Sequence, residues 1–312
     1  MSTHSDVIII GGGAAGLSAA QYCARANLNV MVLEKMASGG QALLIDNLEN
    51  YPGFPGGING FEFSERLEEQ AKKFGAEFTN TSVRTVEKDG DIFTVETDKG
   101  LMTCSAVIVA TGAAHRHLGV PGEEELAGQG VSYCATCDGP FFRDGKILVV
   151  GGGDAACDEA SFLSNLTDRV VHIHRRDRFR AQKSVAEKAL KNPSINVRFN
   201  HILEEINGDG KVSSVVFRNT ITGETYSEEM DAVFIFIGSD PVTSCVPQVK
   251  KDESGYIITD EKMETSVKGL FAAGDVRNTP FRQLVVSASD GAIAAHYAAK
   301  YIDELKGQAY GA

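Results

Sequence analysis

The sequence predicts an α/β fold in which one β-turn-α-β unit is inserted within another. Three observations carry that expectation. Val7–Ile10 and Ile147–Val150 are continuous apolar runs, as expected of strands buried on both faces. A glycine-rich turn follows each run, GGGAAG from Gly11 and GGGDAA from Gly151. The spacing then repeats: Gly11 to Glu34 is 23 positions, Gly151 to His174 is 23, and the two units align at an offset of 140.

In the first unit, Leu17–Ala26 is alanine-rich and helical, and Val30–Leu33 is a second buried strand that ends at Glu34. The turn reads G-x-G-x-x-G. Gly11 permits the tight bend, Gly13 lets backbone approach a pyrophosphate, and Gly16 lets helix pack on strand. Ala14 and Ala15 open the helix, whose N-terminal N–H groups favour an anion.

The second unit repeats the pattern, with Gly151, Gly153 and Asp154 at the turn and Val170–Ile173 as its second strand. At the aligned strand end the two units differ. Glu34 is a carboxylate that accepts from ribose hydroxyls and repels a 2′-phosphate. The second unit places His174, Arg175 and Arg176 there, with Arg180 just beyond, and the arginines offer guanidinium forks to a 2′-phosphate. The pair reads as an ordinary ADP-ribose site, such as that of FAD or NAD, followed by an NADP site.

The remaining elements fit around these units. Gly60–Phe74 reads as an amphipathic helix with Phe63, Leu67 and Ala71 on one stripe. Strands are expected at Thr81–Glu87, Ile92–Thr97 and Ala106–Ala110, then at Val197–Asn200, Val212–Arg218 and Ala232–Ile237. Asp240-Pro241 reads as a hinge. Gly269–Asp275 reads as a strand end returning to the first unit, and Val285–Leu305 as helix.

Composition narrows the function classes. At 312 residues the chain is long enough for two domains, and its 43% hydrophobic and 23% charged residues are ordinary for a soluble protein. A net charge of −12 argues against a general nucleic-acid surface. No apolar run approaches a membrane span, and MSTHSD lacks the start of a signal peptide. Six scattered cysteines are too sparse for a secreted disulfide scaffold, so a reducing cytoplasm is expected.

Two of those cysteines, Cys134 and Cys137, form a C-x-x-C. A zinc site wants four ligands, and only one Cys pair is present; His115 and His117 lie in a loop upstream with no matching pattern. A purely structural turn is a second reading. A dithiol/disulfide is the third, since a two-residue spacer lets the sulfurs close a small ring. The adjoining nucleotide motifs favour the third and expect no metal.

Taken together, GGGAAG, SGGQ, ENYPGFP, VIVATGA, SYCATCDG, GGGDAA, HRRDRFRA and LFAAGDV followed by RQ resemble the low-molecular-weight thioredoxin reductase family, over nearly the whole chain. The resemblance implies two Rossmann-like dinucleotide-binding domains, with FAD bound by residues 1–113 and 244–312 and NADPH by 114–243. It implies a homodimer that passes electrons from NADPH through FAD and the Cys134–Cys137 pair to thioredoxin. By matching position, Gly11, Gly13, Glu34, Gln41, Asn50, Asp275, Arg282 and Gln283 would bind FAD. Gly151, Gly153, His174, Arg175, Arg176 and Arg180 would bind NADPH. Cys137 would face the flavin, Cys134 would attack thioredoxin, and Asp138 would serve as acid or base, although Asp-Gly-Pro is also a good turn. Connectors near 113–116 and 239–244 would act as hinges.

Three stretches depart from the family pattern. Ala155 stands where a hydroxyl often helps hold the NADP pyrophosphate, Ala42–Ile45 replaces a threonine-rich run, and Ser287–Asp290 replaces a more Ala/Gly-like helix start. Cys157 reads as a small core residue. Rival readings are a related dithiol flavoenzyme serving another partner, an NADPH oxidase with an incidental dithiol, and a nucleotide-binding regulator without turnover.

Overall fold

The computed structural model describes residues 4–45, 48 and 50–307. The chain divides into two compact units: one runs to Ala114 and resumes at Asp240, and the other is His115–Ser239.

Along the chain, the first unit begins with β1 (His4–Ile10), α1 (Ala14–Arg25), β2 (Val30–Glu34), α2 (Gly60–Lys73) and β3 (Glu77–Asn80). It continues with β4 (Val83–Asp89), β5 (Ile92–Thr97) and β6 (Gly100–Val109). The chain crosses at β7 (Ala113–His115) into β8 (Val131–Ser132), α3 (Ala135–Asp138), β9 (Ile147–Gly151), α4 (Asp154–Leu163) and β10 (Val170–His174). Then come α5 (Lys183–Lys191), β11 (Ile195–Phe199), β12 (His201–Gly208), β13 (Val212–Asn219), β14 (Thr225–Glu229) and β15 (Ala232–Phe236). The chain crosses back at β16 (Ser239–Pro241) and ends with β17 (Leu270–Ala272) and α6 (Leu284–Leu305). Asp240-Pro241, expected as a hinge, therefore lies in a short strand.

The first unit is a seven-stranded sheet in the order β3-β2-β1-β6-β5-β4, with β17 also on β6. Besides β1, β6 is long enough to serve two further partners. Its first half pairs antiparallel with β5, Phe93 opposite Cys104, and its second half pairs parallel with β17, Phe271 opposite Ile108. Alternation along β1 sorts its side chains between two cores. Val7 and Ile9 join α1 and α6 on one face, while Ile8 and Ile10 join Val86, Phe93 and Val95 on the other.

The second unit follows the same logic. Its sheet, β11-β10-β9-β15-β8, is parallel throughout. Ile147 and Val149 pack toward α4, and Leu148 and Val150 pack toward the antiparallel meander β12-β13-β14. Cys157 is fully buried there, as a small core residue.

Close approach explains Gly16. A Cβ built on it would lie 1.9 Å from the Gly11 carbonyl oxygen, so only glycine lets α1 lie this near the turn that starts it. Gly291 in α6 answers from the other side, where a Cβ would lie 2.1 Å from the Ala15 carbonyl oxygen. We expect Gly16→Ala to push α1 off β1 and lower the apparent Tm by several degrees, read by thermal unfolding.

One ionic network crosses the second unit. Arg198 meets Glu228 with two bonds, Nη1 to Oε2 at 2.5 Å and Nη2 to Oε1 at 3.1 Å, and Lys146 Nζ adds a third at 2.8 Å. The Arg198 bonds outweigh partial burial and hold the Glu228 carboxyl down to about 2. A depressed folded pKa means stability present above the unfolded value near 4.5 and lost as pH falls toward about 2. We expect Glu228→Gln to cost about 1 kcal/mol at neutral pH, because the pair is partly solvated. The gap between variant and wild-type melting curves should close across that acid window.

Candidate functional site

The cleft of the first unit lies at the carboxyl ends of β1 and β6. Gly11, Gly13, Ala14, Ala15, Glu34, Gln41 and Asp275 all line it. Nothing lies within 4 Å of a Cβ placed on Gly13, so the turn is open where a phosphate would come. Gly13 caps α1 without any side-chain hydrogen bond, so the first-turn N–H groups face outward for an anion.

Glu34 is held from two sides. Its Oε2 accepts the Gly12 N–H at 2.7 Å and its Oε1 the Met36 N–H at 3.0 Å. Both oxygens keep a lone pair for a ribose hydroxyl. Asp275 is pushed up by burial, against the opposing pull of Arg282 and a 3.5 Å bond from Ser287. A half-paired buried carboxylate of this kind suits a polyol hydroxyl. Gln41 donates to the Ala113 carbonyl at 3.4 Å.

Three of the expected residues lie outside that lining. Asn50 donates from Nδ2 to Gln283 Oε1 at 3.0 Å, joining the loop before α2 to the start of α6. The Arg282 guanidinium sits over the Tyr256 ring, 4.3 Å from its centroid. Of ENYPGFP, Glu49 lies outside the described residues; Tyr51 and Phe54 cluster with Phe63 of α2, with Tyr51 4.7 Å from Phe63. The Ser287–Asp290 stretch has a structural account. Asp290 is buried, pairs with Arg277 Nη1 at 2.9 Å and accepts the Gly274 N–H at 3.2 Å, pinning the loop that carries Asp275.

The second unit copies this turn with different side chains. Gly153 caps α4 and again has open space beside it. The middle glycines show the correspondence. A Cβ on Gly12 would meet Glu34 at 3.3 Å, and one on Gly152 would meet His174 Nδ1 at 2.2 Å. His174 thus takes the place of Glu34, but it is only 5% exposed and its Nε2 finds no partner among the described residues. Burial, followed by Arg180, Arg176 and Arg175, pushes its pKa down, so the ring is neutral. Its neighbour His172 is pushed down to about 4 by burial and stacks on Phe179 at 4.7 Å.

Arg175, Arg176 and Arg180 are exposed, and among the described residues none meets a carboxylate. The Arg180 N–H donates to the Gly152 carbonyl at 2.7 Å, which ties the arginine loop to the glycine turn. Asp154 accepts the Gln182 N–H at 2.7 Å, so what it offers an incoming anion is its backbone N–H. Three exposed cations without a carboxylate partner among the described residues, beside an open helix start, suit a phosphorylated ligand.

Cys134 and Cys137 are joined in a disulfide, with Cα atoms 5.4 Å apart. The other four cysteines are buried and unpaired. Among the described residues no group of three or more His, Cys, Asp or Glu is placed to hold a metal ion. Asp138 ends α3, and its Oδ2 accepts from the Ser132 hydroxyl at 2.6 Å. Asp-Gly-Pro continues into a 3-10 segment, Gly139–Phe142, so the turn chemistry is helical.

Sequence reasoning missed two residues here. Ser132 is one; the only signal was a hydroxyl two positions before the first cysteine. Glu123 is the other, hidden in an acidic run that reads as a solvated face. It is 1% exposed and accepts from the N–H groups of Leu118 and Gly119 and from the Tyr133 hydroxyl at 2.8 Å. That hydroxyl also lies 2.9 Å from His117 Nδ1, and the His115 ring stacks on Tyr133. The two histidines that a zinc site would have needed thus brace the residue next to Cys134.

The family model described as "Pyridine nucleotide-disulphide oxidoreductase" matches residues 5–297. A thioredoxin reductase of Treponema pallidum (strain Nichols) is 57% identical over 98% of this chain and all of that protein. The crystal structure of thioredoxin reductase from Streptococcus pyogenes MGAS5005 superposes with a TM-score of 0.92 at 42% identity, covering 97% of this chain and 100% of that one. A ferredoxin-flavin thioredoxin reductase from Clostridium acetobutylicum is more distant, with a TM-score of 0.54 at 31% identity over 97% and 99%. With two glycine turns, an inserted unit and a C-x-x-C disulfide in place, the chain is a member of the pyridine nucleotide-disulphide oxidoreductase family.

Proposed function

We propose that the chain is an NADPH-dependent thioredoxin reductase, with FAD in the first unit and NADPH in the second. The observation that carries the reading is the Cys134–Cys137 disulfide, set in the same unit as the exposed Arg175, Arg176 and Arg180. The three arginines favour NADPH over a protein donor, because a 2′-phosphate is what pairs three exposed guanidiniums at a strand end. Bound FAD and NADPH would supply the two-electron reduction of the disulfide.

The chain's own residues do the rest. Gly13, Ala14 and Ala15 bind pyrophosphate through backbone, Glu34 takes the ribose, and Asp275 takes the polyol. Gln41, Asn50, Arg282 and Gln283 complete the flavin site. Gly151, Gly153 and Asp154 bind the second pyrophosphate through backbone. His174 supports the turn from beneath, and the arginines hold the 2′-phosphate.

Once the pair is reduced, Asp138 takes the proton of the Cys134 thiol, and the Cys134 thiolate attacks the partner's disulfide. A sulfur–sulfur bond forms to Cys134, the partner's bond breaks, and its leaving thiolate takes a proton from Asp138. The Cys137 thiol gives its proton to solvent, attacks the Cys134 sulfur and expels the second partner thiolate, which takes a proton from solvent. The enzyme pair returns to disulfide, and the partner leaves as a dithiol. The four buried unpaired cysteines are consistent with a reducing cytoplasm, and among the described residues no helix is long and apolar enough to cross a membrane. We assign a homodimer by family.

The test is direct. Purified chain should be yellow, bleach on NADPH and reduce thioredoxin, with NADH at least about tenfold poorer in kcat/KM. A colourless chain that takes up no FAD, or one equally served by NADH, would falsify the reading.

A further inference from the structure

We propose that Ser132 is a positioning residue for the thiol chemistry, holding Asp138 and the backbone of Cys134 with a single oxygen. This rests on the reading of Asp138 as the proton donor.

Ser132 is the last residue of β8, and the sheet fixes it by pairing it with Phe234 of β15. It is 4% exposed. Its Oγ lies 2.6 Å from Asp138 Oδ2, 3.1 Å from Cys134 N and 3.3 Å from the Cys134 carbonyl oxygen. The hydroxyl has one proton and two lone pairs. The shorter distance decides that the hydroxyl proton goes to Asp138 Oδ2, an oxygen that accepts whether the carboxyl is ionised or carries its proton on Oδ1. A lone pair of the same oxygen accepts the Cys134 N–H. One atom anchored in the sheet therefore ties both ends of the Cys134–Asp138 segment.

The consequence appears when the pair is reduced. In the oxidised state the Cys134–Cys137 bond itself holds this turn closed. Reduction breaks that bond at the moment Cys134 must attack and Asp138 must deliver a proton. The Ser132 bridge survives reduction, since neither of its partners is a sulfur. It keeps the carboxyl at a fixed place relative to the Cys134 backbone while the covalent tie is open. α3 is only four residues long, Ala135–Asp138, too short to hold its end by intrahelical bonds alone.

A double-mutant cycle on the flavin-loaded enzyme decides this, with thioredoxin reduction and thermal unfolding as readouts. We expect Ser132→Ala to lose about tenfold in kcat, the worth of one hydrogen bond to a charged group. Ser132→Thr, which keeps the hydroxyl, should recover most of it. Asp138→Asn should lose about a hundredfold. The double variant should be no slower than Asp138→Asn within about twofold, because the serine acts through the carboxylate. Asp138→Glu, which keeps the acid but moves it off the bridge, should also lose at least about tenfold, and it answers even if Ser132→Ala fails to fold.

If Asp138→Asn is slow but Ser132→Ala and Asp138→Glu are not, the positioning role is wrong and the proton-donor reading stands. Losses that multiply in the double variant overturn the positioning role in the same way. If Asp138→Asn runs at the wild-type rate, both readings fall together.

Discussion

Cys134→Ser should lower thioredoxin reduction at least about a thousandfold, while NADPH oxidation with ferricyanide as acceptor persists. The split follows from the order of the electron path. Ferricyanide takes electrons without needing a sulfur nucleophile, whereas a disulfide partner can be reduced only by a thiolate that attacks it. The two cysteines should also differ from each other. In Cys137→Ser, Cys134 should react once with an aromatic disulfide, release one equivalent of coloured thiolate and stall, because nothing remains to resolve the mixed disulfide. In Cys134→Ser, the remaining Cys137 should react at least about tenfold more slowly if it is the sulfur turned inward. Equal reaction of the two single-cysteine variants would remove the division of labour. A wild-type chain that oxidises NADPH but does not reduce thioredoxin, with Cys134→Ser no different, would return the chain to an oxidase with an incidental dithiol.

The sequence exposes those parts whose physics is local. β1 and β9 are legible because strands buried on both faces are apolar without interruption, and Val7–Ile10 and Ile147–Val150 are fully buried or nearly so. The glycine turns are legible because close backbone approach admits no other residue, as at Gly16, where a Cβ would lie 1.9 Å from a carbonyl oxygen. β14 is not legible: Thr225–Glu229 is mostly polar, and its half-buried face carries the apolar Tyr226 beside the charged Glu228, so its hydrophobic periodicity has little amplitude. β3 escapes for the same reason, as Glu77–Asn80 has no buried residue. At the site, alignment finds His174 opposite Glu34 but cannot show that the ring is buried beneath its turn while the carboxylate reaches the cleft. Ser132 and Glu123 act through contacts that exist only after β8 and the loop before it have packed. A hydroxyl and an acid in a charged run carry no mark of that in one dimension.

Replacing Arg175 and Arg176 together by alanine should cut kcat/KM for NADPH by about a hundredfold or more and leave NADH nearly untouched. Each guanidinium offers a charge-assisted bond of about 1.5–3 kcal/mol to a phosphate, and two such losses multiply unless one arginine compensates for the other. Both side chains are exposed and free of carboxylate partners among the described residues, so their removal breaks no ion pair of the folded unit and should leave its melting curve unchanged. The 2′-phosphate is far from the reacting carbon of the nicotinamide, so the contact is the same in ground and transition states. The loss should therefore fall on KM, with kcat preserved. Raising ionic strength should weaken the wild type's NADPH preference and do little to the variant, because exposed charges are screened within about 8–10 Å. His174 gives the contrasting case. Its ring supports the Gly152 turn from below, so His174→Ala should lower stability and weaken both nucleotides alike, without changing the ratio between them. A His174 variant that loses NADPH selectively would mean that the ring leaves its buried position to meet the phosphate.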